Sequence, residues 1–225
     1  MLNSALDHYR RQQRIATAGL VAARRAKRRG SRAVAEAVVA FQVLAATDAI
    51  GAVPAMLEEQ GIDPDPQGQV VPTVFAGTAS DGRPLPSLFE QAANDFAFDL
   101  MVVTQLQDVA RAAGGAATAN SYGAQGYVRM LNPPSCSRCA ILAGRFYRWN
   151  DGFLRHPKCD CRHIPSTEAL SGDLRLDPNA YFESLAPAEQ SRIFTNAGAK
   201  AIRDGADIGQ VVNARRGMSV GAFER

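Results

Sequence analysis

Aromatic side chains are scarce in this chain of 225 residues, which holds one tryptophan, five tyrosines and ten phenylalanines. With alanine abundant, that scarcity favours helix over sheet. Histidine is rarer still, at three. A Ser-His-Asp site would have to use His8, His156 or His163, and no serine sits in a GxSxG context. No glycine loop of the P-loop or Rossmann type occurs, which removes the common nucleotide-binding classes. No apolar run reaches the roughly 20 residues that cross a bilayer, so no membrane-spanning segment is expected. No apolar signal core follows Met1, so export is not expected either.

Cysteine is also sparse, and its placement is informative. All four cysteines, Cys136, Cys139, Cys159 and Cys161, lie between residues 134 and 165, with His156 and His163 beside the second pair. Zinc takes about four sulfur or nitrogen ligands in a tetrahedron. A CxxC turn presents two thiolates to one side of such an ion, and Cys136 with Cys139 supplies that half. The other half comes from His156 and either Cys159 or Cys161, with His163 left outside the set. Side chains one residue apart in an extended segment diverge, so Cys159 and Cys161 need not share one ion. Two disulfides, or reduced cysteines in a small core, are the competing reading. A Cys₃His set has no open position for water, and no glutamate lies in the cluster to act as a base. A structural zinc is therefore expected, stapling a β-hairpin whose turn is Asn150-Asp151-Gly152.

Charge is distributed in blocks. Residues 1–32 carry nine Lys/Arg and one acid, residues 33–110 eleven acids and one base, and residues 111–225 fifteen bases and ten acids. Such blocks suggest separate faces or partners. Within the first, Arg24, Arg25, Lys27, Arg28 and Arg29 form a run suited to phosphate contact, with no interleaved aromatic for base stacking.

The pattern predicts helices over 3–29, capped by Asn3 or Ser4, and over 32–60, kinked or divided at Pro54. Val34, Val38, Phe41 and Ala45 form an apolar stripe on the second, with Asp48 as its polar interruption. Residues 61–84 read as a long loop with one short extended piece at 70–75. A third helix is expected over 86–113, capped by Ser87, bearing Phe96 and Leu106 on its core face and ended by Gly114 and Gly115. YVRML at 127–131 reads as a strand, residues 170–179 as a loop, 187–205 as a helix stopped by Gly205, and 207–215 as a final helix. The fold class is thus mainly α: a helical region over 1–115, then over 116–225 a small zinc-stapled β-hairpin subdomain with C-terminal helices.

The stretch CSRCAILAGRFYRWNDGFLRHPKCDCRHIP resembles the zinc-site segment of phage Mu protein F-like (MuF-like) minor head proteins, which combine a CxxC, a glycine-plus-aromatic hairpin and a terminal HPxCxC. The corresponding residues are Cys136 with Cys139, Gly144 with Tyr147, and His156-Pro157 with Cys159 and Cys161. The segment AEQSRIFTNAGAKAIRDGADIGQVVNARRG looks like the tail of such proteins from phages of actinobacteria. The resemblance is most specific over 125–217. It implies a structural virion protein in few copies, associated with the portal protein or the major capsid protein inside the head. Host cytoplasm during assembly, and contact of the basic N-terminus with packaged DNA, follow from the same placement. Related proteins are often labelled capsid maturation proteases. No protease constellation occurs here, so that activity is not expected, and a chain ending at Arg225 is expected to carry no appended toxin domain. A head-maturation protease or metal-dependent hydrolase, and a zinc-containing nucleic-acid-binding protein outside the virion, are the alternatives.

Overall fold

The computed structural model describes residues 2–131, 135–148, 162–174 and 177–220. The described part is mainly helical with one small sheet. Helix α1 (Asn3–Ala26) ends in a 3-10 turn (Lys27–Arg29), and α2 (Ser31–Glu58) returns alongside it. Gly30 makes the reversal at φ 96°, a left-handed value that glycine adopts without steric cost. The N-terminus of α1 is not capped by Asn3 or Ser4. The Glu59 carboxylate, from the far end of α2, accepts from the Asn3 and Ser4 amides at 2.8 Å each and from Ser4 Oγ at 2.5 Å. A carboxylate from a distant residue thus meets the orphan donors and the positive end of the helix dipole. These hydrogen bonds, the Ser4 hydroxyl first, hold Glu59 below its ordinary value.

Helix α2 stays helical from Ser31 to Glu58, so Pro54 does not divide it. Small residues set the packing of the helical region. At Gly19 an added Cβ would lie 2.6 Å from Leu106 and 3.1 Å from Phe41, so α1, α2 and the later helix that carries Leu106 approach closely where a side chain is missing. Ala45, Ala46 and Ala49 repeat that close approach further along α2. The fully buried Gln42, absent from the expected stripe, holds the 61–84 loop down. Its Oε1 accepts from the Gly77 amide at 3.0 Å and its Nε2 donates to Thr78 O at 3.2 Å. In that loop the expected extended piece is instead a 3-10 turn, Pro72–Phe75, with Pro72 in its first turn.

The single helix expected over 86–113 is two. α3 (Leu85–Glu90) stops, and α4 (Asp95–Ala119) starts anew from Asn94, whose backbone is extended and whose side-chain Oδ1 accepts from the Ala97 amide at 2.8 Å. Ser87 caps nothing. Phe96 is 64% exposed, and Phe98 takes the core position against Phe89. Gly114 and Gly115 lie inside α4, and Gly114 faces the Cβ of Ala49.

Strand β1 (Gly126–Met130) is the middle of a three-stranded antiparallel sheet, flanked by β2 (Phe146–Arg148) and β3 (Arg162–Ser166). Both described strands of the cysteine stretch pair with β1. The expected turn at 150–152 lies outside the described residues. Gln60 fastens this sheet to the end of α2: its Nε2 donates to Pro165 O and its Oε1 accepts from Ser166 Oγ, both at 2.8 Å.

A second core forms around Phe182 and Phe194, whose rings meet edge-on at 5.2 Å. It gathers α5 (Ser137–Leu142), α6 (Pro178–Ser184), α7 (Pro187–Phe194), α8 (Asn196–Arg203) and α9 (Ile208–Val220). The helix expected over 187–205 breaks at Thr195, which has φ 70° and whose Oγ1 takes the Gly198 amide to start α8. Within the 170–179 loop the structure has a further 3-10 turn, Ser171–Leu174.

By length and composition α2 is apolar enough to cross a bilayer, against the expectation from run length. Single charges such as Asp48 interrupt the run but leave its average high.

Candidate functional site

Cys136 stands at the N-cap of α5, and its Sγ accepts from the Cys139 amide at 3.4 Å. The two sulfurs are 3.4 Å apart. Cys139 is buried and Cys136 half-buried. Arg129 on β1, itself buried, donates from Nη2 to Cys139 Sγ at 3.5 Å. A guanidinium and an amide thus both present N–H groups to the sulfurs. The approach to the pair is fixed by Tyr181, whose hydroxyl accepts from the Ser135 amide at 3.0 Å and donates to Ser135 O at 3.2 Å. Burial, more than any other effect, pushes the Tyr181 hydroxyl up from its ordinary value.

This arrangement fits one half of a tetrahedral thiolate site. Sulfurs 2.3 Å from a zinc lie about 3.8 Å apart, so a small rotation of either side chain suffices. His156, Cys159 and Cys161 lie outside the described residues. Among the described residues no three of the metal-ligating types gather into one group. His163 lies on β3, stacked on Tyr127 at 4.0 Å, and Tyr127 stacks in turn on Tyr147 at 5.8 Å.

His163 and Tyr127 face a cleft of about 430 Å³ between the 74–80 loop, α4 and the sheet. Its charged members are Arg111 and Asp108, paired at 2.5 Å. Below it, a cavity of about 20 Å³, room for one water, is lined by His8, Arg111, Thr118, Arg162 and His163.

The basic run divides. Arg24 forms a two-point pair with Asp99, and Lys27 pairs with Asp95 at 2.5 Å. The hydrogen bond from Arg24 is the main reason Asp99 is held below its ordinary value. Arg25, Arg28 and Arg29 are exposed, and none forms an ion pair among the described residues. No protein-family model, curated protein or solved structure matches the chain. Part of the acidic middle block has partners within the fold. Asp95 and Asp99 meet the basic run, Glu59 meets the start of α1, and Asp48 meets Arg11.

Asp48 belongs to a cluster that pattern reading left unexplained. Its Oδ2 meets His8 Nδ1 at 2.7 Å and Gln12 Nε2 at 2.9 Å, while Oδ1 pairs with Arg11 Nε. The signal was present as the lone acid on an otherwise apolar helical stripe, facing three polar positions on α1.

Proposed function

We propose that this chain is a structural minor head protein of a tailed phage, associated with the portal or inner capsid and supporting head assembly and DNA packaging or ejection. The observation that carries the reading is the Cys136–Cys139 turn. Its N–H···S bond and adjacent sulfurs suit one half of a closed metal site, in a segment whose second half is spelled HPKCDC. Zinc would be held by Cys136, Cys139, His156 and either Cys159 or Cys161. It would supply a crosslink in place of a core too small to hold the segment alone. Function then lies in surfaces: helices toward the portal or capsid protein, and the arginines of the α1 end toward packaged DNA.

Two measurements address this directly. The purified full chain is expected to hold a single zinc per molecule by elemental mass spectrometry. Cys136→Ser or Cys139→Ser should abolish it, and His163→Ala should retain it. A metal-free protein with Cys136–Cys139 and Cys159–Cys161 disulfides would refute the metal site. Mass spectrometry of mature heads should find the chain at a few copies per particle, and absence from heads would refute the virion placement.

DNA contact has its own test. Phosphate contacts release counterions, at about 0.9 in the logarithmic salt slope for each contact. Replacing Arg25, Arg28 and Arg29 together by alanine should reduce that slope by about 2 to 3 on duplex DNA, without regard to sequence. Arg24→Ala should change it far less, because Asp99 already holds that guanidinium. An unchanged slope in the triple variant would remove the DNA role while leaving the head placement standing.

A further inference from the structure

We infer that the outer face of α2 is a self-association surface on which a second copy of this chain packs antiparallel, related by a two-fold axis. In the most apolar 18-residue window of this helix only 39% is buried inside the fold. The uncovered face carries Ala40, Leu44, Thr47, Gly51 and Ala55, all exposed, with Leu44 at 51%. Thr47 donates its hydroxyl to Val43 O at 2.8 Å, which satisfies the polar group along its own helix. A Cβ at Gly51 would meet nothing within 4 Å, so this glycine is not there for packing inside the chain.

The order of these residues selects the occupant. About a point between Ala45 and Ala46, Leu44 mirrors Thr47, Ala40 mirrors Gly51 and Glu36 mirrors Ala55. An antiparallel copy centred there sets Leu44 against Thr47 and Ala40 against Gly51, so small side chains let the helix axes approach to about 8 Å. At the ends Arg32 comes within one residue of level with Glu58 of the second copy, in reach of its long side chain, and each pairing occurs twice, as an isologous contact requires. Arg32 and Glu58 are exposed, and neither has an ion partner among the described residues. The same face on a parallel copy would set arginine against arginine and glutamate against glutamate. A contact of one helix pair is smaller than the roughly 800 Å² per partner of a standard interface, so dissociation on the order of micromolar is expected.

Sedimentation velocity on the full chain, from about 1 to 100 µM, spans that range. The expected result is a rise toward twice the 24.1 kDa chain mass. Leu44→Glu places a charge at the centre twice and should leave a monomer at every concentration, with its helical circular dichroism unchanged. Arg32→Glu and Glu58→Arg should each weaken association at least tenfold, and the double variant should restore it. A wild-type chain that stays monomeric throughout overturns the proposal. So does a dimer that Leu44→Glu leaves intact, or one that the charge swap fails to rescue. Monomers that float with neutral lipid vesicles would instead assign the face to a membrane.

Discussion

Replacing Asp48 by alanine should lower the stability of the fold by about 3 kcal/mol, the cost of removing one member of a buried, hydrogen-bonded charge cluster. The carboxyl is nearly covered, with 13% of its side chain exposed, and it joins His8, Arg11 and Gln12 of α1 to the middle of α2. Its removal leaves His8 facing the space the carboxylate filled. For a chain of this size the melting temperature should fall by about 10 °C. The pH dependence follows from the direction of its shift. Burial acts most strongly and pushes the carboxyl up, but the hydrogen bonds of His8, Arg11 and Gln12 and the attraction of His8 together outweigh it. The folded value therefore lies below the unfolded one. The stabilisation is fully present above about pH 4 and is lost as pH falls through the folded value. Asp48→Asn keeps the shape without the charge, and should flatten the acid limb of a denaturation-midpoint profile relative to wild type. An acid limb of equal steepness in both proteins would count against Asp48 as its source.

Gly126→Ala should be comparably damaging by a different mechanism. A Cβ at Gly126 would lie 2.1 Å from Tyr147 O and 2.9 Å from the Arg148 Cα, both backbone atoms of the paired strand. No rotamer relieves such contacts, so β2 must separate from β1, at a cost of about 3 kcal/mol. Amide hydrogen exchange should show residues 146–148 losing protection while α1 and α2 keep theirs. Gly115→Ala is the control. It is helical and meets nothing within 4 Å, so it should be neutral or stabilising by roughly 0.5–1 kcal/mol.

The contrast between these two sites explains what the sequence disclosed. Helices were legible wherever alanine-rich periodic segments ran long, and the strand at 127–131 stood out by its β-formers. Where those helices start and stop was less legible. Asn94 opens a new helix, while the glycine pair at 114–115, which reads as a stop, is kept helical against Ala49. The cap of α1 comes from Glu59, a residue that no local rule connects to Asn3. Charge blocks looked like addresses for outside partners, yet Asp95 and Asp99 fold onto Arg24 and Lys27. A one-dimensional tally cannot distinguish complementarity within the chain from complementarity with another molecule. Of the candidate metal site, only Cys136 and Cys139 lie among the described residues, side by side as their spacing suggests. Pattern reading did not locate the support for them, because Arg129 and Tyr181 come from a strand and a helix on either side of the stretch.

The position of β1 between two strands that both come later in the chain has a kinetic consequence. The α1–α2 pair closes across a single glycine and needs little loop entropy to form. The sheet cannot be completed until Arg162–Ser166 has been reached, and its clamp to Gln60 spans more than a hundred residues. Long-range pairing of that kind comes late on a folding pathway. The helical region should therefore be in place as a template before the sheet docks, and the two strands of the cysteine stretch take their register from β1 only at that late step.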